Sequence, residues 1–314
     1  MSKANSFKPV LLLGNGINRI DNTYSWEQLM TELLDFCGLR EAISVKGKPF
    51  PLLYEEIYLR WHEKDPLHNR ELMLKKKIRS LLKKIRYNDL HHRVMELPVS
   101  DILTTNYDYN LESTLEGGYS SAPHIGPVKG SKFSLLRRRQ AGDKVIWHIH
   151  GEASAPGSIL LGYEQYAGYL QNIRGYAVDG VNYRHNGELL RFPPLTKRLL
   201  EGSTEPLTWI DYFFMRDVII LALTMDFVEM HLWWILDFRA RLMTDPRYSF
   251  DNQIIYMYPS ADQNWIKSRI DLLCACDVQC IQAPIERFNW KKMYQNVLTF
   301  IENANFGKED IGHS

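Results

Sequence analysis

The segment Lys8-Pro9-Val10-Leu11-Leu12-Leu13-Gly14 constrains this chain more than any other. An unbroken apolar run does not alternate between a wet and a dry face, so a strand built from it is covered on both sides, as in a parallel sheet between two layers of helices. The glycines of Gly14-Asn15-Gly16 permit a tight turn and a close approach of the backbone to a ligand. Ser25 then reads as a helix cap, with Glu27 and Gln28 in the first turn and Trp26, Leu29, Met30, Leu33 and Leu34 recurring at helical spacing. A strand, a glycine loop and a helix in that order aim amide N–H groups and a positive dipole at an anion such as phosphate. Gly-Asn-Gly alone reads equally well as a plain structural turn.

The same alternation recurs. Strands are expected at Ser100 to Thr105, Lys144 to His150, Asp217 to Leu223, Gln253 to Tyr258 and Val278 to Ile281, with Gly142-Asp143 as a hairpin turn into the second of these. Helices are expected at Tyr107 to Glu116, Val228 to Leu242 and Ala261 to Leu273. The pattern predicts an α/β chain with a Rossmann-like, doubly wound, mostly parallel sheet. A single domain over 1–314 is expected, with a helical insertion at about 40–97 and an irregular or helical segment at about 163–210.

With 314 residues, 45% of them hydrophobic, the chain can bury a substantial core. A net charge of +1 gives no reason to expect a polyanionic partner. The basic run from Lys75 to Arg86 is interleaved with Leu72, Leu74, Ile78, Leu81, Leu82 and Ile85, so it reads as the solvated face of a helix, and direct nucleic-acid binding is not expected. The longest apolar run, Val218 to Leu223, falls far short of the roughly 20 residues that cross a bilayer. Cys37, Cys274, Cys276 and Cys280 show no disulfide framework, and the cluster Cys274, Cys276 and Cys280 makes no zinc ribbon and is expected to hold buried structural thiols. Met1 to Asn5 lack the long apolar core of a signal peptide, so a reducing, cytoplasmic location is expected.

Ligands of open parallel sheets sit beyond the carboxyl ends of strands, and Asn106 and His150 both fall at such ends. Asn106 also suits a local cap, with Asp108 as its first-turn acid. His148 and His150 lie two apart on a strand, but no further ligand stands at matching spacing, so no metal is expected. His150, beside Gly151, is expected to reach the pocket while His148 packs beneath it in a hydrogen-bonded role.

Taken in order, Gly14-Asn15-Gly16-Ile17-Asn18, Trp26, Thr104-Thr105-Asn106-Tyr107-Asp108, His150-Gly151 and Leu161-Gly162-Tyr163 resemble the sirtuin-like domain of bacterial antiphage defence proteins, over about residues 9 to 285. The Gly-Asn-Gly form is also similar to the abortive-infection family of AbiH type. The resemblance implies an NAD-binding domain that hydrolyses NAD to nicotinamide and ADP-ribose and so depletes the cell of NAD on infection. It implies Asn106 and His150 as catalytic residues and Asp108 as the acid of the same motif. Gly14, Asn15, Gly16, Asn18, Thr105 and Thr224 would line the nucleotide. Three departures bear on this. No four-cysteine ribbon is present, so protein deacylation is not expected; Asn15 and Asn18 stand where the family has Ala and Ser; and Ala222-Leu223-Thr224 replaces a late Gly-Ser pair. Control of a toxic activity is expected from homo-oligomerisation or from a regulatory partner such as an ATPase. The alternative is a non-catalytic sensor of NAD or ADP-ribose.

Overall fold

The computed structural model describes residues 8–20, 25–64, 69–127, 132–260, 263–285 and 289–304. Met1 to Asn5 and Ala261 lie outside the described residues. In chain order the elements are β1 (Val10–Leu13), α1 (Trp26–Phe36), α2 (Phe50–Lys64), α3 (Arg70–Leu82), α4 (Asp89–Glu96), β2 (Asp101–Thr104), β3 (His124–Ile125), β4 (Arg138–Ala141), β5 (Lys144–His148) and α5 (Tyr163–Val178). There follow β6 (Val181–His185), β7 (Glu188–Phe192), α6 (Leu195–Leu200), α7 (Tyr212–Met215), β8 (Val218–Leu221), α8 (Met230–Met243), β9 (Ile254–Pro259), α9 (Gln263–Ala275), β10 (Val278–Ala283) and α10 (Trp290–Asn303).

The main sheet runs β10-β9-β8-β1-β2-β5-β4-β3. Every pairing from β10 to β5 is parallel, and β4 alone is reversed, pairing antiparallel with both β5 and β3. The expected Rossmann-like, mostly parallel sheet is therefore what this chain builds. β1 lies between β2 and β8, so the chain's winding reverses there, and Leu13 pairs with both Thr104 and Leu221. All four residues of β1 are fully buried. Val10 and Leu12 join the cluster that contains α5, α7 and α8 residues, whereas Leu11 and Leu13 join the one formed with α4 and α10. Each such side chain contributes about 1.5–3 kcal/mol of burial, which explains why the run carries no polar residue.

A third cluster forms where α1, α2 and α3 pack on Tyr107, Ile159 and Leu161. The Ser25 hydroxyl accepts from Gln28 N and the Gln28 side chain returns to Ser25 N, so the cap expected of Ser25 is in place. On α3, Lys75 is buried and paired with Glu71 at 2.8 Å, and Arg70 is buried as well, so the basic run is not solvated throughout.

Three segments depart from expectation. Tyr107 to Glu116 is not an α-helix: only a short 3-10 turn, Glu112–Thr114, appears there. The Tyr107 hydroxyl donates to Leu160 O and Asp108 Oδ1 accepts from Asn110 N, and these local bonds compete with a helical ladder. Residues 163–210 hold the long α5 and also the antiparallel hairpin β6–β7, which turns at Asn186 and Gly187, both at positive φ. Cys274 is exposed and Cys276 and Cys280 only half-buried; Cys37 alone of the four is buried, which pushes its thiol up to about 12. Among the described residues no helix is long and apolar enough to cross a membrane.

Candidate active site

Because β8, β1, β2 and β5 are parallel and in register, Gly14, Thr105, Ile149 and Ala222 all leave the sheet at one edge. A cavity opens beside it, lined by Asn15, Trp26, Leu29, Asn106, Tyr107 and Asp108 among others.

The glycine loop meets a partner other than an α-helix. A 3-10 turn, Asn15–Arg19, follows β1, and the amides of Gly14 and Gly16 donate to Leu221 O at 2.9 Å and Ala222 O at 2.8 Å. A Cβ on Gly14 would fall 2.4 Å from Ala222 O, and one on Gly16 2.4 Å from the Tyr294 hydroxyl. Both glycines thus let the loop after β8 pack on the loop after β1, and it is the Asn15 side chain that reaches the cavity wall. Ala222 holds φ +57 in this contact, a conformation that favours glycine. Thr224 is exposed and its carbonyl accepts from Arg269.

Asn18 is buried and uses all of its hydrogen-bonding capacity. Its Nδ2 donates to Asn15 Oδ1 and to Asp108 Oδ2, each at 2.8 Å. Its Oδ1 accepts from Asn110 Nδ2 at 2.8 Å and from His91 Nε2 at 2.9 Å. The Asn88 amide donates to His91 Nδ1, which leaves the ring's hydrogen on Nε2. Burial pushes His91 down to about 4, so the ring is neutral at pH 7. Burial also raises the Asp108 carboxyl, and Asn110 N and Asn18 partly offset that. Asp108 is therefore a clamp between two segments ninety positions apart.

Asn106 is held from behind. Its amide donates to Thr104 Oγ1 at 3.1 Å, its Nδ2 lies 3.4 Å from Gly14 O, and Thr105 N donates to Leu13 O. His148 Nδ1 lies 3.1 Å from Asn106 O and its Nε2 2.7 Å from Glu112 Oε1. Burial lowers the His148 pKa, the Glu112 carboxylate more than offsets this, and the net shift is upward. The ring bridges the Asn106 carbonyl and the Glu112 carboxylate and so ties Asn106 to β5. The structural role expected of His148 is the one it fills.

His150 sits apart from this group, in the turn after β5. Its Nε2 lies 2.8 Å from His231 Nε2 and 3.5 Å from Glu229 Oε2. Burial pushes His150 down to about 3 and raises the Glu229 carboxyl to about 8. Among the described residues no hydrogen bond joins Asn106 to His150. Asn15, Asn106 and Asp108 are thus brought together on the cavity wall, with Asn18 bonded to two of them; His150, expected to reach the pocket, is not among its lining residues and is grouped instead with His231 and Glu229. Sequence reasoning missed His91, Asn110, Glu112, His231 and Glu229. Only topology brings His91, His231 and Glu229 to the site, whereas Asn110 and Glu112 follow Asn106 closely enough to suggest partners.

Residues 100–196 match the family model described as a SIR2-like domain. A stretch of 80 residues is 30% identical to the NAD(+) hydrolase ThsA of Acinetobacter baumannii, covering 25% of this chain and 16% of that protein's length. The glycine loop and the loop after β8 lie outside the matched family segment. Asn106, Asp108, His148 and His150 all fall within the segment that matches the SIR2-like model.

Proposed function

We propose that this protein cleaves the bond between nicotinamide and ribose in NAD with water, giving nicotinamide, ADP-ribose and a proton, and that it serves as an NAD-depleting effector in defence against phage. The observation that carries the reading is Asn106: it stands at the carboxyl edge of the parallel sheet, on the wall of the cavity, within the SIR2-like segment. The partial similarity to a named NAD(+) hydrolase supports the same chemistry.

As the glycosidic bond breaks, its electron pair leaves with nicotinamide and positive charge grows on the ribose. The Asn106 amide accepts from a ribose hydroxyl and donates to the incoming water. His150 takes the proton that the water or a ribose hydroxyl gives up, entering the reaction neutral because burial keeps it so. Asn15 faces the substrate, whereas Asn18 and Asp108 position it. Gly14 and Gly16 shape the wall, with Thr105 behind Asn106 and Thr224 at the exposed end of the loop after β8. Self-association, or a regulatory partner such as an ATPase, restrains the activity.

Incubation of the purified protein with NAD should yield nicotinamide and ADP-ribose, and Asn106→Ala and His150→Ala should each lower the yield about 100-fold or more. A second reading, a sensor that binds NAD or ADP-ribose without turnover, is favoured by the engagement of His150 Nε2 with His231. Tight NAD binding with no product at any protein concentration would select it.

A further inference from the structure

The turn after β5 and the start of α8 bring three ligand atoms to one point. One atom from each of His150, His231 and Glu229 lies within 4.8 Å of the others. His150 is 2% exposed and His231 fully buried. Glu229 Oε2 and His231 Nδ1 have no hydrogen-bond partner, although they lie 3.9 Å apart. Leaving such buried atoms unsatisfied is costly, and no lysine or arginine pairs with Glu229 among the described residues. The rings of Tyr166, Tyr169 and Trp209 pack around His231 at 5.6 to 6.3 Å between centroids, so the converging ligand atoms stand inside an aromatic shell. Polar atoms that converge within an apolar wall, with lone pairs unspent, are the arrangement of a metal site.

We propose that His150, His231 and Glu229 bind a divalent first-row transition ion such as zinc. Two imidazoles and a carboxylate suit ions of this class, whereas magnesium and calcium prefer shells made of oxygen. Two nitrogens each about 2.1 Å from one tetrahedral ion stand roughly 3.4 Å apart, so the rings must part by about half an ångström from their present 2.8 Å contact. The imidazoles lose no proton in the exchange: the ring that carried hydrogen on Nε2 carries it on Nδ1 instead, and the Glu229 carboxyl, which ligates as carboxylate, gives up any proton it holds to solvent. Three protein ligands leave a fourth position for water. The filled site occupies the lone pair of His150 Nε2, so zinc restrains NAD cleavage; this consequence rests on the proposed hydrolase activity, and the binding itself does not. Nothing in the sequence points to the site, because Glu229 and His231 stand about eighty residues from His150.

The purified full-length chain, freed of metal by chelation, is titrated with cobalt(II) while its visible absorption is followed, and zinc then competes. The wild type should take up cobalt saturably. Glu229→Gln should weaken binding by about 10-fold to 100-fold and His231→Gln should weaken it at least as much, whereas Cys274→Ser should not change it. Melting curves identify the variants that fold, and Glu229→Gln decides the matter if His231→Gln does not. The absence of a saturable cobalt spectrum in the wild type, or equal affinity in a folded Glu229→Gln variant, overturns the proposal. Cobalt binding without NAD cleavage leaves the metal site standing and removes the hydrolase reading. NAD cleavage without cobalt binding does the reverse.

Discussion

The Asn18 hub, which borders the cavity through Asn15 and Asp108, and the His150 cluster are both buried and polar, yet they differ in how much of their bonding is spent. Asn18 has two donors and two acceptor positions, and all are used on Asn15, Asp108, Asn110 and His91. Glu229 and His231 each leave an atom unpaired a few residues from the end of the same sheet. A saturated network has no lone pair to offer a substrate and serves to hold loops together. An unsaturated one holds reactive atoms ready at a cost in stability. Asp108 joins the first kind through Asn18 and Asn110 while also lining the cavity, and His150 belongs to the second.

The contrast can be broken most easily at the hub. Asn18→Ala orphans four partners at once, and urea unfolding should show a loss of about 3–4 kcal/mol; a loss below about 1 kcal/mol would mean that the hub is not a scaffold. Next in size is His150→Ala, for which NAD consumption should fall about 100-fold or more, or about 2.7 kcal/mol of transition-state stabilisation. Retained activity in that variant would move His150 to the structural side of the comparison.

A pH series sharpens the hub further. The folded His91 titrates at about 4, below its unfolded value of about 6.5. Its contribution is therefore complete above pH 6.5, erodes as pH falls, and is gone near pH 4. His91→Asn should flatten this acid limb by on the order of 1–2 kcal/mol relative to wild type, and an unchanged limb would place the acid sensitivity elsewhere. The smallest effect is expected at the loop contact. Ala222→Gly should raise stability by up to about 1 kcal/mol by relieving the positive φ, and a loss would mean that the Ala222 methyl is needed for packing.

The sheet is legible in the sequence because fully covered strands must be apolar throughout: β1, β8 and β9 are marked by Val10, Ile219 and Ile255 and their neighbours. The hairpin β6–β7 carries a signal in Asn186-Gly187, a pair suited to two successive positive φ values, but its flanking strands are half-exposed and mixed in character. The region after Asn106 misleads because Tyr107 to Glu116 has the composition of a helix while Tyr107 and Asp108 spend their side chains on distant and local backbone. Asn106 itself is readable from its place at a strand end. Its support by His148 and Glu112, and the meeting of His150 with α8, depend on contacts that only the folded chain makes.

The central claim is most directly tested by incubating the purified protein with NAD over a range of protein concentrations and separating the products by chromatography, for wild type and Asn106→Ala. The account predicts nicotinamide and ADP-ribose in equal amounts from the wild type and a drop of about 100-fold to 1000-fold in the variant, with little change in melting temperature. Intact NAD with the wild type at every concentration, or undiminished cleavage by a folded Asn106→Ala variant, would contradict it.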